Sequence, residues 1–60
     1  MNLVPAAEQA IKQGIPRIYR EGEPTVRLAV YESPELGIYF DLGGDLFFSE
    51  DILAEDWRVV

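Results

Sequence analysis

The sequence predicts an α+β fold in which an N-terminal helix packs on a small antiparallel sheet of four to five strands. Three observations support it. Apolar residues recur at helical spacing near the start of the chain, within residues 3–11. Apolar and polar residues alternate through 25–32 and 36–42, which is typical of strands with one buried face. The connecting segments are rich in Gly, Pro, Ser and Glu, so we expect short turns and one domain over residues 1–60.

The first segment has the features of an amphipathic helix. We expect Asn2 to cap it and Gly14 to end it. Pro5 is compatible with the first turn, because the N–H that proline lacks has no helical partner there. The apolar face is formed by Leu3, Ala7, Ala10 and Ile11.

Three strands should follow the helix. The first covers 15–20, with a proline near its start, and the second and third cover 25–32 and 36–42. Leu36, Ile38, Phe40 and Leu42 share the core face of the third strand. A turn at 33–35 would set the register by placing Val30 opposite Ile38, Leu28 opposite Phe40, Val26 opposite Leu42 and Arg27 opposite Asp41.

The last third of the chain should complete the sheet. Gly43–Gly44 is a strong hairpin signal and would return the chain through a strand over 45–48, with Phe47 opposite Phe40. Ser49 is the expected N-cap of a short helical turn, and Trp57–Val60 the last strand. The outer sheet face would carry four large side chains, which are Tyr31, Tyr39, Leu46 and Phe48. That is more apolar area than a free face normally shows, so we expect it to be covered or to be an interface.

Composition excludes several functional classes. The chain contains no Cys and no His, so it offers neither a disulfide nor a thiolate or imidazole ligand or base. The hydroxyl groups of Thr25, Ser33 and Ser49 therefore lack the usual activating base. The acidic pairs near the end of the chain do not have the spacing of a calcium-binding EF-hand loop. We therefore predict a protein that is not an enzyme, with no catalytic residue, no metal site and no cofactor.

The net charge of −6 is concentrated in the second half of the chain. Residues 1–30 contain four basic and three acidic side chains, whereas residues 31–60 contain one basic and eight acidic ones. A negative surface repels nucleic acid and attracts basic surfaces, although acidic composition also simply favours solubility. The apolar runs are too short for a membrane span or a signal sequence, so we expect a cytoplasmic protein without membrane contact.

Two segments resemble a small family of phage and prophage proteins. The first is the helix end Ala10-Ile11-Lys12-Gln13-Gly14 followed by Arg17-Ile18-Tyr19-Arg20. The second is the ending Asp51-Ile52-Leu53-Ala54-Glu55-Asp56-Trp57-Arg58-Val59-Val60. Family members open with a helix, a glycine and a basic strand, and close on Leu-Ala-x-Asp-Trp. The Thoeris anti-defence signal sponges belong to this family, and a type II anti-CRISPR protein is similar to it.

The resemblance implies a compact α+β domain, often oligomeric, that disarms bacterial immunity. In the sponges, nucleotide-derived signals bind between subunits, and an aromatic residue soon after the first strand's arginine grips the ligand. Here Arg20 is followed by Glu21-Gly22-Glu23 instead of Trp. If the chain nevertheless binds a cyclic nucleotide signal, the candidate ligand-binding residues are Arg17, Arg20 and Trp57.

The first hypothesis is therefore an inhibitor that binds an immune effector with a basic surface, such as a CRISPR effector, in the cytoplasm of an infected host. It would block nucleic-acid binding or effector assembly without itself binding nucleic acid. Tyr31 and Tyr39 would supply aromatic contact area. The acidic contact residues would be Asp41, Asp45, Glu50, Asp51, Glu55 and Asp56. A nucleotide-signal sponge and a small accessory interaction module without an immune role remain alternatives, and homo-oligomerisation is left open.

Overall fold

The computed structural model describes residues 1–43 and 47–60, and it confirms the α+β fold. An N-terminal helix packs on a four-stranded antiparallel sheet, and a short helix precedes the last strand. The elements are α1 Leu3–Gln13, β1 Arg17–Arg20, β2 Arg27–Ser33, β3 Gly37–Asp41, α2 Ser49–Leu53 and β4 Trp57–Val59. The strand order is β3-β2-β1-β4, so β1 lies in the interior of the sheet beside the last strand.

Helix α1 has the predicted limits. Asn2 occupies the N-cap position in an extended conformation, although its side chain makes no capping hydrogen bond. Gly14 ends the helix in the left-handed region at φ 71°, and its N–H is directed to the carbonyl groups of Ala10 and Ile11. Glycine suits this position because a side chain disfavours positive φ.

The register between β2 and β3 differs from the prediction by two residues. Val30 lies opposite Phe40, and Tyr31 lies opposite Tyr39, so the predicted Val30–Ile38 and Arg27–Asp41 pairs are wrong. The predicted Leu28–Phe40 and Val26–Leu42 pairs fail with them. A shift of two residues keeps the same side chains on the core face, because side chains alternate with a period of two.

The turn explains the shift. Its three residues are 34–36, since Ser33 lies opposite Gly37. The hydroxyl oxygen of Ser33 accepts hydrogen bonds from the N–H groups of Glu35 and Leu36. Gly37 then adopts φ 79°, the left-handed conformation typical at the end of three-residue hairpin loops. Leu36, predicted to face the core, lies in this turn and is 79% exposed.

The hydrophobic core lies between α1 and one face of the sheet. Ala6, Ala7 and Ala10 are fully buried, and their small side chains let α1 approach the strands closely. Trp57 is the largest fully buried side chain. The remaining buried apolar residues are Leu3, Ile18, Leu28 and Val30.

The described part of the segment before α2 differs from the prediction. The Gly43–Gly44 hairpin and the strand over 45–48 involve residues 44–46, which lie outside the described residues. Phe47 and Phe48 are not part of a strand. Phe48, not Ser49, is the N-cap of α2. In the described part of the chain, no helix is long and apolar enough to cross a membrane.

Candidate functional site

Arg20 joins the end of β1 to the C-terminal segment. Its Nη1 donates a 2.8 Å hydrogen bond to Oδ1 of Asp51. Its Nε donates to Oδ1 of Asp56 at 2.9 Å, and Nη2 donates to Oδ2 of the same carboxylate at 3.4 Å. One planar guanidinium group therefore binds two carboxylates from different segments, a geometry to which arginine is well suited. We call Arg20, Asp51 and Asp56 the arginine cluster.

Asp51 is the buried member of the arginine cluster, with 5% of its surface exposed. Besides the bond from Arg20, its carboxylate accepts a hydrogen bond from the N–H of Phe48 at 3.2 Å. Its carbonyl oxygen accepts a 2.8 Å hydrogen bond from the indole Nε1 of Trp57. Since a buried carboxylate is stable only when it is paired and hydrogen-bonded, these bonds explain why α2 turns Asp51 inward.

Asp56 is held from two sides. In addition to Arg20, the backbone N–H of Gly22 donates to its Oδ2 at 2.8 Å. The hydrogen bonds from Arg20 and then from Gly22 lower the pKa of Asp56 below its usual value. In return, the hydrogen bonds to Asp56 and Asp51 raise the pKa of Arg20. A Cβ atom added at Gly22 would lie 2.7 Å from Oδ2 of Asp56, so this approach requires glycine.

Helix α2 exposes apolar side chains and buries an acidic one. Ile52 is 50% and Leu53 78% exposed, and Phe48 at the N-cap is 60% exposed. Glu50 and Glu55 are exposed beside them. Phe47, in contrast, is half-buried, and its ring packs edge-on against Trp57 with centroids 6.2 Å apart. We call Phe48, Glu50, Ile52, Leu53 and Glu55 the α2 surface.

The outer sheet face, turned away from α1, carries the predicted tyrosines. Tyr31 and Tyr39 lie opposite each other and stack with ring centroids 5.4 Å apart. Asp41 shares this face with Tyr39, because alternate residues of a strand point the same way. Asp41 lies opposite Ala29, which lies opposite Arg17 on the next strand.

The structure therefore divides the predicted partner-binding residues among three environments. Tyr31, Tyr39 and Asp41 lie on the outer sheet face. Glu50 and Glu55 are exposed on the α2 surface, whereas Asp51 and Asp56 belong to the arginine cluster. Asp45 lies outside the described residues.

The residues of the nucleotide-binding alternative do not form an accessible site, although Trp57 lies opposite Arg20 in the sheet. Trp57 has no exposed surface, and the guanidinium of Arg20 is occupied by two carboxylates. Arg17 is exposed and lines a shallow depression of about 260 Å³ on the outer sheet face, which Arg27 and Asp41 also line. No group of three or more metal-ligating side chains occurs within residues 1–43 and 47–60.

The sequence reasoning did not single out Ile52 and Leu53 as surface residues. The sequence alone does not reveal this exposure. In a helix of five residues Asp51 and the two following residues point in different directions, and which of them faces inward depends on the contact between Asp51 and Arg20. Once Asp51 is buried, Ile52 and Leu53 turn towards solvent.

A comparison of the chain with protein-family models, curated proteins and solved structures finds no match in any of the three.

Proposed function

We propose that this protein is a phage-type inhibitor of bacterial immunity that binds a protein effector through the α2 surface. The target class is a CRISPR effector with a basic groove, and the protein acts in the cytoplasm of the infected host. The observation that carries the proposal is the α2 surface itself, where exposed carboxylates flank exposed apolar side chains. Surfaces of this composition are suited to protein partners.

The charge balance around α2 favours a basic partner. Arg20 contacts this helix, and its single positive charge already faces the two carboxylates of Asp51 and Asp56. Within the described residues, Glu50 and Glu55 form no ion pair. Their charge therefore remains available to attract Lys and Arg side chains of a partner.

A basic nucleic-acid groove meets these requirements. Carboxylates placed in it would compete with phosphate groups for the same cations, and complementary charge would accelerate association. The resemblance of residues 51–60 to the closing motif of phage anti-defence proteins supports the same interpretation. This segment supplies both Glu55 and most of the apolar side chains of the α2 surface.

Charge reversal restricted to the α2 surface tests the proposal. The variant Glu50→Lys/Glu55→Lys leaves the arginine cluster intact, whereas reversing Asp51 or Asp56 would disrupt the fold. Binding to a purified, guide-loaded type II CRISPR effector is measured by interferometry at low and at physiological ionic strength. We expect affinity to fall at least about tenfold at low salt, mainly through slower association.

The variant Glu32→Lys/Glu35→Lys is the matched control, since it changes the net charge equally at exposed positions near the β2–β3 turn. It should retain more affinity than the α2 variant. Equal losses would show that only net charge matters, and a wild-type protein that binds no effector would contradict the proposal. Heat released on titration with cyclic nucleotide signals would favour the sponge alternative instead. If expression of the chain in a host with active defence does not protect infecting phage, an accessory module without an immune role is favoured.

A further inference from the structure

Helix α2 has the reverse of the usual amphipathic arrangement. A surface helix normally buries its apolar side chains and exposes its charged ones. In α2 the buried residue is Asp51, while Ile52 and Leu53 are exposed. Phe48 and Ile52 are one helical turn apart and joined by a backbone hydrogen bond of 3.2 Å, and both side chains are exposed.

The arginine cluster fixes this orientation. Turning Ile52 and Leu53 inward would rotate Asp51 out of reach of Arg20 and would break the bond between its carbonyl oxygen and Trp57. The apolar residues are therefore held outward by buried polar bonds and cannot be covered by a rotation of α2. A helix whose orientation is fixed in advance loses less conformational freedom when it binds.

We propose that Phe48, Ile52 and Leu53 insert into an apolar cleft of the partner protein, and that Lys or Arg side chains on the rim of this cleft pair with Glu50 and Glu55. This inference rests on the proposed function and specifies the partner surface it requires. The apolar side chains provide the central buried contact, which usually dominates binding energy. The carboxylates lie at the rim, where charge mainly sets the association rate.

Charge identifies the occupant as a basic partner and not a second copy of the chain. In a two-fold symmetric dimer, the same patch meets itself. Two α2 surfaces in contact would place Glu50 and Glu55 of both copies in one interface. Each chain also carries a net charge of −6, so such a dimer would be opposed by repulsion. A partner with a basic rim removes this opposition.

The test replaces one apolar side chain without changing charge. Leu53→Ser alters the proposed contact, and Leu36→Ser is a matched control, because Leu36 is 79% and Leu53 78% exposed. Both variants should keep the wild-type melting temperature, since neither side chain is buried. Each protein is immobilised and exposed to a purified guide-loaded CRISPR effector, and separately to lysate of a bacterium that carries this effector. Retained proteins are quantified by mass spectrometry, and any protein retained from the lysate is purified and its affinity measured.

We expect the effector to bind wild type and Leu36→Ser alike and to bind Leu53→Ser at least about tenfold more weakly. Equal effector binding by all three proteins would overturn the cleft contact and leave the proposed function standing. If the effector does not bind but another purified protein does, with the same dependence on Leu53 and weaker binding at high salt, the proposed function fails and the contact stands. Retention of no protein overturns both. A wild-type dimer that Leu53→Ser converts to a monomer would overturn the basic partner in favour of a second copy.

Discussion

The guanidinium of Arg20 and the buried carboxylate of Asp51 are joined by a 2.8 Å hydrogen bond across 31 residues of sequence. This ion pair sets the orientation of α2, because the carboxylate also accepts the N–H of Phe48 at the start of the helix. The side chains that would meet a partner are thus positioned by a polar contact beneath them.

Asp51→Ala should destabilise the protein by about 2 kcal/mol, because it removes one of the two carboxylates that bind Arg20. The variant also leaves the N–H of Phe48 without its acceptor. Asp51→Asn should lose less, since the amide oxygen still accepts one of these bonds. Urea unfolding followed by Trp57 fluorescence gives the free energies. Glu50→Ala, at an exposed position in the same helix, should change stability by less than about 0.5 kcal/mol. A similar small change in Asp51→Ala would contradict the role of the pair.

Asp56 should make stability depend on pH in the acid range. Its folded pKa lies below its unfolded value, which is about 3.9, because Arg20 and Gly22 donate hydrogen bonds to it. The contribution is complete above the unfolded pKa and is lost as pH falls through the lowered folded pKa, since the unfolded state then binds the proton first. Melting temperatures measured from neutral pH to strong acid should therefore fall more steeply for wild type than for Asp56→Asn. Parallel curves would exclude this contribution.

Gly22→Ala should disturb Asp56 although the two residues are far apart in sequence. A methyl group at position 22 would lie 2.7 Å from Oδ2, so the carboxylate must move away from the N–H of Gly22 and from Arg20. We expect a lower melting temperature and a pKa of Asp56 that returns towards its usual value, measured by NMR titration. Glu23→Ala, at a neighbouring exposed position, should leave both quantities unchanged. An unaltered Asp56 titration in Gly22→Ala would show that the carboxylate is not held this way.

The Tyr31–Tyr39 pair should contribute a coupling energy of about 0.5–1 kcal/mol, which is typical of stacked cross-strand aromatic residues. The quantity is obtained from unfolding of the two single alanine variants and the double variant. Tyr19 and Tyr39, on strands that do not pair, should show coupling near zero. The register predicted from the sequence would place Gly37, and not Tyr39, opposite Tyr31. A Tyr31–Tyr39 coupling of zero would therefore contradict the register of the structure.

The sheet faces could be predicted from the sequence because alternation depends only on whether a position is odd or even. The exact register could not be predicted, since shifting the turn by one residue keeps the remaining paired residues on the same faces of the sheet. What decides it is local: the Ser33 hydroxyl accepts two turn N–H groups, and Gly37 takes the left-handed position that follows them. The side chain of Leu36 then falls in the turn and not in the core.

The contacts within the arginine cluster were not predicted from the sequence, for a different reason. Arg20, Asp51 and Asp56 all drew attention in the sequence, but as separate candidates for ligand or partner binding. Their contact spans 31 and 36 residues and depends on β4 pairing with β1, which no local pattern reveals. The orientation of α2 follows from that contact, so the α2 surface could be defined only once the tertiary structure was known.

Arg20 also affects residues outside the regular elements. The amides of Gly22 and Phe48 each donate to a carboxylate that this one guanidinium holds in place. The amides of Gly22 and Phe48 should therefore exchange slowly with deuterium. Both lie outside the helices and strands, where amides normally exchange rapidly. Order in two separate connecting segments is thus coupled to a single side chain, and both segments should open together when that side chain is lost.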